Sequence, residues 1–97
     1  MKRKEPTVIR AFVDRANKDE RMRPAHRCLM MMFIYLSWGQ QRAKPVAVSR
    51  RRMMQMTGIK SIVSYHKYMA QLQSYGYITY VPSFHPLYGS MVWINAG

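Results

Sequence analysis

Ser49-Arg50-Arg51-Arg52-Met53-Met54-Gln55-Met56-Thr57-Gly58-Ile59-Lys60-Ser61-Ile62-Val63-Ser64-Tyr65-His66-Lys67 contains two helix starts and one helix stop. Ser49 is a good N-cap, since its hydroxyl can accept from a free backbone N–H of the first turn. Arg50 to Met56 reads as a short helix with Met53, Met54 and Met56 available to face inward. Thr57-Gly58-Ile59 then forms a tight turn, in which Gly58 takes up the backbone conformation that a helix C-terminus needs. A second helix runs from Lys60 or Ser61 to Tyr75, and Gly76 ends it. Ile62, Tyr65, Met69 and Leu72 recur at intervals of three and four, the spacing of one buried face. Lys60, Ser64, Lys67, Tyr68 and Gln71 fall on the opposite, polar face.

After Gly76 the pattern changes period. Tyr77-Ile78-Thr79-Tyr80-Val81 and Met91-Val92-Trp93-Ile94 are β-branched and aromatic runs, and both read as strands. The loop Pro82-Ser83-Phe84-His85-Pro86-Leu87-Tyr88-Gly89-Ser90 joins them into a two-stranded hairpin over 77–95. Upstream, Val46-Ala47-Val48 is a short extended stretch. Before it, residues 24–41 read as a helix with Pro24 in the first turn, where a missing N–H costs nothing. Leu29, Met30, Met31, Met32, Phe33, Ile34, Tyr35, Leu36 and Trp38 make it apolar on nearly every face, which predicts a central helix surrounded by others. Residues 7–17 form an amphipathic accessory helix, with Thr7 as N-cap and Val8, Phe12, Val13 and Ala16 as its stripe. Residues 1–6 read as a flexible basic tail ending in Pro6, and 18–23 as a solvated connection. The expectation is one α+β domain over residues 7–97, mostly helical, closed by a C-terminal β-hairpin.

Helix, short helix, tight glycine turn, second helix, hairpin: this order resembles the winged helix-turn-helix superfamily. The residues that carry the resemblance are Ser49 to Ile59 and the step Tyr75-Gly76-Tyr77-Ile78 into the hairpin. Ser64-Tyr65-His66-Lys67-Tyr68 and the loop 82–90 are similar to short putative transcriptional regulators of anaerobic gut bacteria, often carried on mobile elements. The chain departs from that pattern in setting Lys60 between the turn isoleucine and Ser61. What the resemblance implies is double-stranded DNA binding, with residues 49–75 as the helix-turn-helix and residues 60–75 as recognition helix in the major groove. Lys60, Ser61, Ser64, Lys67 and Tyr68 would then meet base edges. Ser49, Arg50, Arg51 and Arg52 would hold phosphate, and the wing residues Ser83, His85, Tyr88 and Ser90 would touch the backbone or minor groove.

Charge points the same way. From Arg21 to Gly97 there is no aspartate or glutamate, while ten Lys/Arg give that segment a formal charge of +10. The four acids, Glu5, Asp14, Asp19 and Glu20, all lie in the first twenty residues. Self-repulsion of that size disfavours a compact state unless a polyanion is the usual partner. Composition excludes other classes. Hydrophobic residues make up 48% of the chain, too many for a disordered segment. The longest apolar run, Cys28 to Leu36, is nine residues and cannot span a bilayer. The basic N-terminus has no apolar stretch after it and does not read as a secretory signal. A single cysteine, Cys28, leaves no disulfide framework and suits a cytoplasmic setting.

Plainer readings stand beside these. Three adjacent arginines can be a solvated helix face, Tyr65 a core residue, and Met30 to Met32 core filler rather than an adaptable docking surface. His26 and Cys28 are two apart and so lie on different helix faces, which predicts no metal site. No cofactor and no enzymatic activity are expected, because Cys28 in an apolar helix is an inert thiol. Two rival functions stay open: a DNA-architectural or excision-accessory protein of a mobile element, and an RNA-associated or protein-interaction module. Residues 7–17 also offer a homodimer surface through Val8, Phe12 and Val13, unless Phe12 packs back on Met31 or Trp38.

Overall fold

The molecule, a computed structural model, is described over residues 4–38, 44–82 and 89–95. Within them the chain forms α1 (Lys4–Asn17), α2 (Pro24–Leu36), β1 (Val46–Val48), α3 (Arg50–Thr57), α4 (Ile62–Ser74), β2 (Ile78–Val81) and β3 (Ser90–Ile94). The result is an α+β domain of four helices and one three-stranded antiparallel sheet.

α1 begins at Lys4, so residues 4–6 belong to a helix rather than to a tail, and Thr7 lies inside it rather than capping it. Pro6 is tolerated there because the first four N–H groups of a helix have no internal partner. Residues 1–3 of the expected tail lie outside the described residues. Val8, Phe12 and Ala16 are buried in the chain's own core, while Val13, the third residue of the expected dimer surface, is 36% exposed. Phe12 belongs to the core cluster against which Met31 packs. Its ring stands edge-on to Tyr77, with centroids 5.9 Å apart at 78°.

α2 ends at Leu36, short of the expected Gln41. The Ser37 N–H donates to both Phe33 O and Ile34 O, and the Trp38 N–H donates to Tyr35 O at 3.2 Å, closing the helix in a tighter final turn. Residues 39–41 lie outside the described residues. α1, α3, α4 and β3 all pack on the helix, as expected of a central one. Leu29, Met30, Phe33 and Ile34 are buried, and Met31, Met32 and Leu36 are partly buried against the core. Tyr35, 62% exposed, and Trp38, 52% exposed just beyond the helix, are the aromatic rings left in solvent. A polar tip on an apolar ring makes tyrosine and tryptophan tolerable there.

The sheet order is β1-β3-β2, so the expected two-stranded hairpin has a third strand. Val46-Ala47-Val48 pairs with β3 in the register Val46↔Val92, Ala47↔Met91 and Val48↔Ser90. β2 pairs on the other side, from Ile78↔Ile94 to Val81↔Met91. Without β1, one edge of β3 would present unpaired N–H and C=O groups. Val46 and Val48 are buried and Ala47 is exposed, the alternation of a half-covered strand.

Tyr77 ties the sheet side to α1. Its N–H donates to Leu72 O at 2.9 Å and its carbonyl accepts from the Asn95 N–H at 2.9 Å. Its hydroxyl donates to Asp19 Oδ2 at 3.0 Å, and the Arg15 guanidinium lies 4.0 Å above its ring. Arg15 is therefore turned in toward the chain. It donates to Tyr75 O at 3.0 Å and Gly76 O at 3.3 Å. Nor is the 18–23 connection simply solvated. Met22 is buried, and Asp19 accepts from Arg21 Nε and Nη2, each at 2.8 Å. Those hydrogen bonds hold the Asp19 carboxyl well below the usual carboxylate range.

Gly76 has φ +87°, and a Cβ there would sit 3.1 Å from Arg15 Nη2. Gly76→Ala is expected to cost about 2 kcal/mol, from left-handed backbone strain and displacement of the guanidinium. Urea unfolding of the variant beside wild type measures it, with Ala70→Gly on the exposed face of α4 as a control for glycine content.

Candidate nucleic-acid interface

α3 and α4 are built from two serine caps and one glycine. Ser49 is extended (φ −112°, ψ 144°), and its hydroxyl accepts from the Arg52 N–H at 3.1 Å. Gly58, at φ +78°, ends α3 with its N–H donating to Met54 O at 2.9 Å. Thr57 Oγ1 donates to Met53 O at 2.8 Å and accepts from the Ile59 N–H at 3.4 Å, so the turn is braced from both sides. Ser61 then caps α4, accepting from the Ser64 N–H at 3.2 Å. The helix thus starts at Ile62, and Lys60 belongs to the turn.

Burial sets which residues face out. Met53 is fully buried, which turns Arg51 and Gln55 to the opposite side of α3, and Arg50, Arg51 and Arg52 are all exposed. On α4, Tyr65, Met69 and Leu72 are buried. The helical period then puts Val63, Lys67, Ala70 and Ser74 outward, with His66 beside them, and all five are exposed. Lys60 and Ser61 are exposed as well.

Three expected assignments change. Ile62, placed on the buried face, is 48% exposed, because it sits one turn before Tyr65 at the rim of the packed face. Tyr68, placed on the outward face, is half-buried against the core and edge-on to His26, with centroids 5.2 Å apart. Gln71 also turns inward. His26 is buried, its Nδ1 accepts from the Arg23 N–H at 2.8 Å, and its Nε2 lies 2.8 Å from Gln71 Oε1. With Nδ1 accepting, Nε2 carries the hydrogen and donates to Gln71. Ser64 is half-buried at the margin. Of the wing residues, Ser83, His85 and Tyr88 lie outside the described residues. Ser90 is the first residue of β3, not a loop residue, because its place opposite Val48 extends the ladder.

Val63, His66 and Gln55 were not among the expected interface residues, although the signal was present. Counting outward from Met53 and Tyr65 by helical angle, rather than sorting residues by polarity, reaches all three.

The charges are segregated along α4. Asp14, Asp19 and Glu20 lie on α1 and the turn after it, and Asp19 and Arg21 meet the chain at Tyr77 and Tyr75, beyond the C-terminal end of α4. Lys60 and Ser61 stand at its N-terminal end, about 20 Å away by helix rise. Arg50 is near enough to Tyr65 for its charge to oppose the rise of the phenol's pKa. The unpaired N–H groups of the first turn of α4 add partial positive charge at that end.

Among the described residues no group of His, Cys, Asp and Glu is arranged to hold a metal. No described helix is long and apolar enough to cross a membrane. The chain matches no model of a known protein family, no curated protein and no solved structure.

Burial pushes the Tyr65 phenol up to about 12, with Tyr80 adding to the rise and Arg50 opposing it. A proton held more tightly in the fold means stability that is complete below pH 10 and lost as pH rises from 10 to 12. The loss attributable to Tyr65 is on the order of 2–3 kcal/mol. Denaturant unfolding from pH 9 to 12 should show it, and Tyr65→Phe should flatten that part of the profile.

Proposed function

We propose that the chain is a winged-helix protein that binds double-stranded DNA through α4 and acts as a transcriptional regulator. What carries the reading is the exposed cationic run through α3, the turn and α4. Arg50, Arg51, Arg52, Lys60 and Lys67 are all exposed, in a segment with no carboxylate to neutralise them. The element order supports it, since α2, β1, α3, glycine turn, α4 and a β2–β3 pair is the order of a winged helix. In that reading the arginines hold phosphates, and Lys60, Ser61 and Lys67 face the major groove with Ser64 at its margin. The loop 82–89 supplies the wing, with Ser83, His85 and Tyr88 as its backbone contacts. Tyr68 takes a supporting role, holding α4 against His26.

Binding rather than catalysis also fits the reactive side chains. The Cys28 thiol lies 3.8 Å from Thr57 O, and His26 is enclosed by its two hydrogen bonds.

If about five phosphates are neutralised, log affinity for duplex DNA falls with log salt at a slope near −4 to −5. Arg51→Ala weakens all duplexes alike and flattens that slope by about one, since a phosphate contact carries no sequence information. Lys67→Ala instead narrows the gap between preferred and random duplexes by about 1–3 kcal/mol. Filter binding across salt, with structured RNA of equal length as competitor, measures all three. Absence of duplex binding at low salt, or a preference for the RNA, overturns the proposal.

A further inference from the structure

Val63 lies in the first turn of α4, on its outward side, and is 78% exposed. Ile62 beside it is 48% exposed. A lone apolar side chain in water is ordinary, but this pair is not lone. Lys60, His66 and Lys67, all exposed, lie within four residues of Val63, in a segment that has no acid. Folding does not call for this valine. Val63 lies on the side of α4 away from the core, and valine is a weaker helix former there than alanine or lysine. A branched apolar tip inside a cationic stripe suits a ligand that is anionic around its edges and apolar at one point.

Duplex DNA is such a ligand. Phosphates line both walls of the major groove, while the thymine C5-methyl is the one apolar group on its floor, and side-chain methyls contact it. We infer that Val63, supported by Ile62, reads thymine through its C5-methyl group. This rests on the DNA-binding reading above and adds to it the base and the atom recognised. Within that arrangement the arginines of α3 hold the phosphates, Lys60 and Lys67 face the groove, and Val63 adds a preference for the methylated base. Taking the two facing methyls out of water accounts for a preference of about three- to tenfold for each well-placed thymine.

The test uses the full chain and a mixed-sequence duplex about two helical turns long, made once with thymine and once with deoxyuridine, which lacks only the methyl. A second pair of G·C duplexes, with and without 5-methylcytosine, returns the methyl to the same groove position on another base. Wild type binds the thymine duplex about three- to tenfold more tightly than the uracil duplex, and the methylated G·C duplex more tightly than the plain one. Val63→Ser brings both ratios to near one. Because Val63 is 78% exposed, the variant's urea midpoint stays close to that of wild type, which separates a lost contact from a lost fold. Equal binding of thymine and uracil duplexes by wild type, or a ratio that survives Val63→Ser, overturns the inference while DNA binding stands. No binding to any duplex overturns both.

Discussion

Tyr77 is where the helical and sheet parts of this chain become one body. Its ring meets Phe12 edge-on and lies under the Arg15 guanidinium of α1, its hydroxyl holds Asp19, and its backbone links the end of α4 to the strand that follows. Each contact fixes a different degree of freedom. The ring contacts set the distance of α1, the Asp19 bond orients the turn after it, and the bond to Leu72 O locks where α4 stops. Once that end is fixed, Tyr65, Met69 and Leu72 can lie inward only if Val63, Lys67 and Ala70 lie outward. The face offered to a partner is thus set at the far end of the helix from where the partner would bind.

The same arrangement handles the charge. A chain of formal charge +12 must keep its cations apart or pair them. Arg15 and Arg21 are absorbed at the acid end, one by carbonyls and a tyrosine ring, the other by Asp19 and the Tyr75 ring. Arg50, Arg51 and Arg52 are left in water at the opposite end. Repulsion among these three is a standing cost that an anionic partner would relieve, and it acts where the backbone dipoles of α4 already favour an anion.

Local rules made much of this legible. Ser49, Gly58 and Gly76 act as their residue types predict, and the three- and four-residue spacing of Tyr65, Met69 and Leu72 marked a buried face correctly. The misses share a cause. Whether Val46-Ala47-Val48 is a strand depends on β3, more than forty residues later. Whether Arg15 points out or in depends on carbonyls at residues 75 and 76. Tyr68 and Gln71 look like exposed polar residues until His26 is found beneath them. At the candidate interface the cations were legible by composition, whereas Val63 was hidden by the habit of assigning apolar residues to the core. α2 is the converse case, in which an all-round apolar sequence leaves the Tyr35 ring in solvent.

The position of β3 in the sheet bears on how the chain is made. β3 is the central strand, yet it is the last of the three to be synthesised, and both neighbours depend on it for their hydrogen bonds. β1 must wait some forty residues for its partner, and β2 is separated from β3 by a loop that has to be complete first. The helices can form and collapse as they emerge, because their contacts are mostly closer in sequence. The sheet closes only when β3 through Ile94 is in place, so its pairing waits on contacts far apart in sequence, which are slow to make. Until then Val46 and Val48 lack the strand they pair with.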